Sequence, residues 1–580
     1  MRELNSVGKG RSLATSGNGL HRSSAGGSAR GSSLLWAPLF VIGLTAFAVE
    51  MPFFFLGTPS GHDLEFHLYS WLDVLAQWRQ GIIFPRWAAM ANFACGEPRF
   101  LFYPPASWML GAALGAIVPW TVASCVYIWI VLVAAGASMF ALMRRWLGSR
   151  DAIFAAALYA ANPYHLVIVY WRSAFAELLA SCLLPLLLLL VMRAVDGERR
   201  VIIPLSLVLA AAWLSNAPAA LMVHYSLALL IVYFAWQRRS PSLLTVGAVA
   251  IVLGACLAAF YLMPAIYEQG WVNIAGALEP GLRPQDGFLF THTTDIDHDN
   301  FNRLVSWVAL AEIVATLAVA GATVWRTSVA RSQPSQGGDR GQWNGIAVWA
   351  AACGLFMFSI TNVLWRLLPK LQFMQFPWRW MLCLSFCLSF FVAVGVSRWW
   401  GRFAICLAML LVLVAAGRHY QAPWWDRAAD LREMQDFMAD GTGYEGVDEY
   451  TPKGADASEL GQDTRKVRVE GPGHAAIHVY YWNAESKMFT AEMSAPDELA
   501  LRLFRYPAWE VEVNGQVVET SARESTGQML VPVEAGTNRV QITFVRTWDR
   551  TMGGWISLIT ATALILWTWR ARRGVNRIPV

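Results

Sequence analysis

"SGHDLEFHLYSW", residues 60–71, places two carboxylates (Asp63, Glu65) and two imidazoles (His62, His67) directly behind an apolar run over 34–56. A run of that length crosses a bilayer as one helix, so this polar cluster marks where the chain leaves the membrane. A carboxylate at the hydrocarbon edge is costly and is a functional candidate by default. The stretch continues as "DLEFHLYSWLDVLAQW", whose Leu64, Leu68, Leu72 and Leu75 form one stripe of an amphipathic helix. Asp63 and His67 stand four apart, a spacing that predicts one shared helix face. Such a pair can share a proton, or together hold a metal or a substrate hydroxyl. Capping of the helix by Asp63 in a solvated loop is the competing reading.

The rest of the chain has the same character. Of 580 residues, 56% are hydrophobic and only 15% charged, which excludes an ordinary soluble protein. Residues 1–33 are rich in Ser, Gly and Arg and read as a disordered cytoplasmic tail. No small-residue cleavage site follows the first apolar run, so that run reads as a retained helix and not a signal peptide. The eight cysteines are scattered without metal-ligand spacing, and the large C-terminal loop has none, so no disulfide framework is expected there. The net charge of +5 reflects basic loops and not a nucleic-acid surface.

Those basic loops set the topology. Arg144–Arg145, Arg199–Arg200, Arg238–Arg239, the Arg326–Arg340 linker, Arg398–Arg402 and the tail from Arg570 should share the cytoplasmic side with the N-terminus. Twelve spans satisfy this, near 34–56, 121–143, 152–170, 175–193, 201–218, 220–236, 242–263, 303–326, 345–364, 376–397, 402–419 and 553–570. The apolar piece 104–119 is too short and would invert every later loop, so it reads as re-entrant or interfacial. The expected organisation is a helical transmembrane domain over 34–419 with a large first outer loop, 57–120. An extracytoplasmic β-rich domain over 420–552 and a last span with a basic tail over 553–580 complete it. In that domain apolar and polar residues alternate, and Asn514-Gly515 between two such runs signals a hairpin, together a small β-sandwich.

Other polar residues lie at the outer ends of apolar runs. "YWRSAFAE" (170–177) carries Arg172 and Glu177 at the mouth of two spans, as catalytic groups or as a salt bridge that only locks the hairpin. Arg379 in "QFPWRWM" suits a phosphate near the membrane surface, or an aromatic belt with a snorkelling arginine. "THTTDIDHDN" (291–300) gathers acids and histidines as a divalent ion or a solvated loop would. Glu268 lines a site or ends a helix. Glu449, in "GYEGVDEYTP", belongs to a lid or a linker. His474 and His478 fall on one strand face and make no acid–base constellation.

"GHDLEFH…GIIFPRWAAMANFACGEPRFLFYPP", "AELLASCLLPLLLL", "LSNAPAALMVHY", "FYLMPAIYE", "QFPWRWM" and "DEYTP" resemble a bacterial family labelled membrane protein, 6-pyruvoyl-tetrahydropterin synthase-related. The resemblance covers nearly the whole chain after residue 34, most specifically Asp63 to Pro105. The first-loop Asp and a later short-loop acid are similar to the GT-C superfamily of membrane glycosyltransferases. "FRYPAWEVEVNGQ…VPVEAGTNRVQITF" is similar to the β-domain of GT-C-like proteins that decorate teichoic acids. A soluble pterin synthase would need a three-histidine zinc site, and no such spacing occurs here.

The GT-C resemblance implies a polyprenyl-phosphate sugar as donor, an envelope glycan or lipid as acceptor, and inverting transfer on the outer side of the bacterial inner membrane. It implies Asp63 as general base and Glu177 as a second catalytic acid, although Glu177 is Glu where Asp is commoner and lacks the flanking glycine; the four-residue spacing adds His67 as the catalytic partner of Asp63. Arg172, Arg379, Glu268, Tyr103 and Glu449 are the expected substrate contacts. A divalent metal is a possible cofactor. The rival expectation is a non-catalytic transporter or assembly factor of the same fold.

Overall fold

The computed structural model describes residues 29–329, 340–460 and 465–575. The expected tail over 1–33 lies outside them up to residue 28, and the Arg326–Arg340 linker lies outside them over 330–339. The first helix, Ala29–Glu50, begins before residue 34.

Nine helices among the described residues are long and apolar enough to cross a membrane, and two bent pairs raise the number to eleven. The helix at the expected span 201–218 is shorter than these. Ile202–Ser215 has 14 residues, about 21 Å at the α-helical rise, against a hydrocarbon core of about 30 Å. Asn216 ends it and starts the next helix, its side chain accepting from the Ala219 N–H at 2.9 Å.

The expected spans at 242–263 and 345–364 are the bent pairs. Ser242–Leu257 meets Ala259–Trp271 at 76°, and Gly341–Phe356 meets Ser359–Leu367 at 95°. The first bend has a visible cause. The Ser557 hydroxyl, from the last span, accepts from Phe260 N–H at 2.9 Å and donates to the Cys256 carbonyl at 3.1 Å. It thus replaces the i→i−4 bond that would have kept the helix straight. Residues 104–119 hold a helix of only 11 residues, Pro105–Gly115, packed against Leu64–Arg79.

In the middle of the bundle, every residue from Met381 to Ala393 is buried, the mark of a helix that is apolar on all sides. The basic loops meet at one end. Arg145 pairs with Asp196 at 2.6 Å, Arg402 with Asp151 at 2.5 Å, and Arg326 donates to the Gly395 carbonyl at 2.9 Å. The opposite end gathers the start of the first loop, the 170–177 corner, the 368–378 loop and the segment after 420. There Thr58–Pro59 pairs antiparallel with Trp425–Asp426.

The β-domain is a two-sheet antiparallel sandwich spanning Val467 to Phe544, narrower than the expected 420–552; a helix, Ala428–Ala439, precedes it. One sheet runs Val467–Val469, Asp497–Phe504, Gln528–Val533, Ser521–Ala522. The other runs Ala475–Trp482, Ser486–Met493, Gly536–Phe544, Trp509–Val513, Gln516–Val517. Phe489, Leu499, Leu501, Val531 and Ile542 fill the space between them. The Asn514-Gly515 hairpin forms as expected, with φ of 53° and 80° as a type I′ turn requires.

Candidate active site

Two segments more than a hundred residues apart are clipped together by backbone bonds. His62 N–H donates to the Trp171 carbonyl at 3.2 Å and Asp63 N–H to the Arg172 carbonyl at 2.8 Å. Gly61 N–H donates to the Ser173 hydroxyl at 3.0 Å, and that hydroxyl donates to the Pro59 carbonyl. A Cβ at Gly61 would stand 2.5 Å from the Arg172 carbonyl carbon, so only glycine permits this approach. The corner itself is a π-helical turn, Ile168–Arg172, closed by Ser173 in the left-handed region. Such turns often mark functional sites because they re-aim side chains.

Here the corner aims Arg172 at an ion cluster. Arg172 Nη1 lies 2.5 Å from Glu177 Oε2 and donates to the Tyr164 hydroxyl at 3.2 Å, while that hydroxyl donates to Glu177 Oε1 at 2.7 Å. Arg379 Nε stands 3.6 Å from the same Glu177 carboxylate, without a hydrogen-bond partner, and its Nη1 donates to the Met374 carbonyl at 3.1 Å. Arg172 Nη2 stands 3.7 Å from Asp63 Oδ2. Glu177 and both guanidinium groups are buried, whereas the Asp63 side chain is 40% exposed. Aromatic rings frame the cluster. Arg172 lies over the Trp378 ring at 4.7 Å, Trp378 stacks on Phe376, and His62 packs edge-on against Phe301 and Trp424.

Asp63, Arg172, Glu177 and Arg379 therefore come together as the sequence suggested, with roles divided by burial. Glu177 is enclosed by its partners and holds two arginines; Asp63 is the acid that solvent reaches. Asp63 occupies the N-cap position of Leu64–Arg79 but makes no capping hydrogen bond.

The expected Asp63–His67 pair does not form a hydrogen bond. His67 is fully buried among Phe66, Tyr103 and Phe175, and neither ring nitrogen has a hydrogen-bond partner. Burial pushes its imidazole down to about 4, so it is neutral at pH 7. Tyr103 packs 4.7 Å from Phe66, where the charges of Asp63, Arg379 and Arg172 reach it, and burial holds its phenol well above the usual range.

Two expected contacts lie elsewhere. Glu268 accepts from Arg550 Nε and Nη2, both at 2.7 Å, and from the Tyr506 hydroxyl at 2.6 Å. It joins a bent membrane helix to the last span and the β-domain and does not line the site. Glu449 lies beside Glu97 and Arg99 instead of Arg172, and burial is the main cause that pushes its carboxyl up to about 7. Its segment folds back as a docked strap. Tyr444 donates to Asp73 at 3.2 Å, and Val447 N–H to Glu97 at 2.9 Å, the acid that also pairs with buried Arg99 at 2.6 Å.

The acids of 291–300 are likewise engaged locally. Asp295 accepts from His298 N–H, and Asp299 pairs with His292 and Arg303. Among the described residues no three His, Cys, Asp or Glu side chains are grouped as metal ligands. His478 and the neighbouring His474 are both exposed on the β-domain.

Sequence reasoning missed Tyr164, and for the tryptophans of "QFPWRWM" it left open a phosphate site or an aromatic belt. A signal for Tyr164 existed: "NPYH" (162–165) starts a helix with Asn162 capping His165 N–H at 2.9 Å, which fixes Tyr164 within reach of the corner.

No curated protein matches the chain in sequence. Among solved structures it is similar to the arabinofuranosyltransferase AftD from Mycobacteria, with 16% identity and a TM-score of 0.39 over 70% of this chain and 28% of that one. It is also similar to a mutant form of AftD, R1389S, with 19% identity and a TM-score of 0.36 over 66% and 27%. The chain thus spans less than a third of the length of these proteins. Residues 100–422, more than half of the chain, match the 6-pyruvoyl-tetrahydropterin synthase related domain of membrane proteins, and the chain belongs to that family.

Proposed function

We propose that the protein is a GT-C-type membrane glycosyltransferase that moves a sugar from a polyprenyl phosphate to an envelope glycan or lipid. The observation that carries this reading is the convergence of Asp63, Arg172, Glu177 and Arg379 from three distant segments at one membrane end. The acceptor hydroxyl oxygen attacks the anomeric carbon as the bond from that carbon to the phosphate oxygen breaks. The hydroxyl proton passes to Asp63, and the bond electrons leave with the lipid phosphate. A single displacement of this kind inverts the anomeric centre.

Arg172 and Arg379 face the charge that grows on the phosphate. The partnerless Nε of Arg379 is one donor set aside for it. Glu177 fixes both guanidinium groups before the donor arrives, so little reorganisation is needed during transfer. The rings of Trp378 and Phe376 offer a flat apolar surface to the prenyl chain or the sugar face. The site lies at the end opposite the basic loops, which favours an extracytoplasmic reaction at the bacterial inner membrane.

The test is mass spectrometry of lipid-linked sugars and envelope glycans in cells with the protein, without it, and with Arg379→Ala. Loss of one glycan with accumulation of its lipid-linked donor in both altered strains is expected. An unchanged glycan profile would leave a transporter or assembly factor in its place. A cysteine placed at His478 in a Cys-free variant should label with an impermeant thiol reagent in intact cells.

A further inference from the structure

A cavity of about 490 Å3 lies beside the proposed active site but separate from it, between the outer ends of the spans Trp36–Leu56 and Trp120–Met143 and the helix Ala428–Ala439. Phe47, Phe54 and Trp129 form its membrane-facing wall and are themselves 44%, 66% and 39% exposed, so the cavity is open sideways to lipid. Glu50 stands in this wall, 5% exposed, with its Oε1 buried and without a hydrogen-bond partner. Thr58, Thr121 and Asp426 line the same space, and none of the lining residues is basic. A buried carboxyl with no cation and no donor is an unfavourable arrangement that a ligand can relieve. Chain-sized apolar walls with one buried, unpartnered acid specify an amphiphile whose head is cationic.

We infer that this cavity binds a membrane amphiphile with a long apolar chain and a primary ammonium head, the ammonium donating to Glu50. An ammonium carries three donors and no acceptor, which matches a site whose buried, unpartnered polar atom is a carboxyl oxygen of Glu50. A phosphate head would meet the Glu50 carboxyl and no cation, so this site is distinct from the one proposed for the lipid-phosphate donor. The inference does not depend on glycosyl transfer and survives if that reading fails.

The full chain, purified in neutral detergent, is incubated separately with hexadecylamine, hexadecyl glucoside and hexadecyl phosphate, and retained probe is counted by native mass spectrometry. Hexadecylamine should be retained at least about tenfold better than either other probe. Glu50→Gln keeps the shape and removes the charge; a hydrogen bond to a charged group corresponds to roughly 10- to 100-fold in affinity, and that much should be lost. Val122→Trp, which fills the cavity, should abolish retention. Equal retention of the glucoside or phosphate, or unchanged amine binding in either variant, overturns the assignment. Should Glu50→Gln fail to fold, the ranking of the three probes on the parent protein decides alone.

Discussion

Asp63→Asn separates chemistry from architecture. The backbone N–H of Asp63 bonds the Arg172 carbonyl, and asparagine keeps that bond. No capping bond is lost, because the Asp63 side chain makes none. The carboxylate lies 3.7 Å from Arg172 Nη2 with 40% of the side chain exposed, and a solvent-reached pair of that kind is worth about 0–1 kcal/mol. Arg172 still has Glu177 at 2.5 Å, so no buried charge is left unpaired. Unfolding should therefore shift by less than about 1 kcal/mol. Under the proposed function transfer loses its base, a loss of about 10²- to 10⁴-fold, or roughly 3–5 kcal/mol of barrier. The assay is sugar transfer, or complementation, at equal membrane abundance, with thermal unfolding in detergent as the control. Activity within a few-fold of the parent refutes the assignment of Asp63 as base.

The buried acids should behave in the opposite way. Glu177→Gln strips two buried arginines of their counter-charge and should destabilise by about 3–5 kcal/mol; an unchanged melting temperature would show that the cluster contributes nothing to folding. Glu268→Gln breaks a bidentate contact at 2.7 Å between the membrane helices and Arg550, with a similar penalty. Limited proteolysis should then cut between the β-domain and the bundle faster than in the parent. His67 titrates near 6.5 when unfolded and about 4 when folded, so the unfolded chain takes up the proton first as pH falls. Its contribution is full above about pH 6.5 and is lost toward pH 4, about 3 kcal/mol in all. His67→Phe should flatten the stability profile across that window and nowhere else. His474→Ala with His478→Ala, both exposed on the β-domain, should leave melting and transfer at parental values; lost transfer in a folded variant would move the chemistry there.

What the sequence could disclose follows the range of the interactions involved. Long apolar runs announce membrane helices because burial in lipid requires nothing beyond the run itself. The break between 201–218 and 220–236 was legible, but the shortness of Ile202–Ser215 is hidden because apolar residues continue past the Asn216 cap. The bend at Ala258 is hidden because Ser557, which opens it, comes 297 residues after Phe260. Glu268 looked like a site residue for the same reason, its partner Arg550 being 282 residues away. Arg172 and Glu177 were legible because charge at the mouth of an apolar hairpin must be paired or used, and both outcomes place it at the corner.

The Asp63–His67 spacing misled for a geometric reason. Four residues apart means one face only when both residues lie on the helical lattice. Asp63 is the N-cap, with φ −104° and ψ 7°, so its side chain leaves that lattice toward Arg172, while His67 stays on it with Leu64 and Leu68 and is buried. The same departure makes Asp63 useful. A residue held by the Arg172 carbonyl and excluded from the helix face keeps a carboxylate open to water at the edge of a buried two-arginine cluster. Under the proposed function that exposure is what lets Asp63 meet the acceptor hydroxyl.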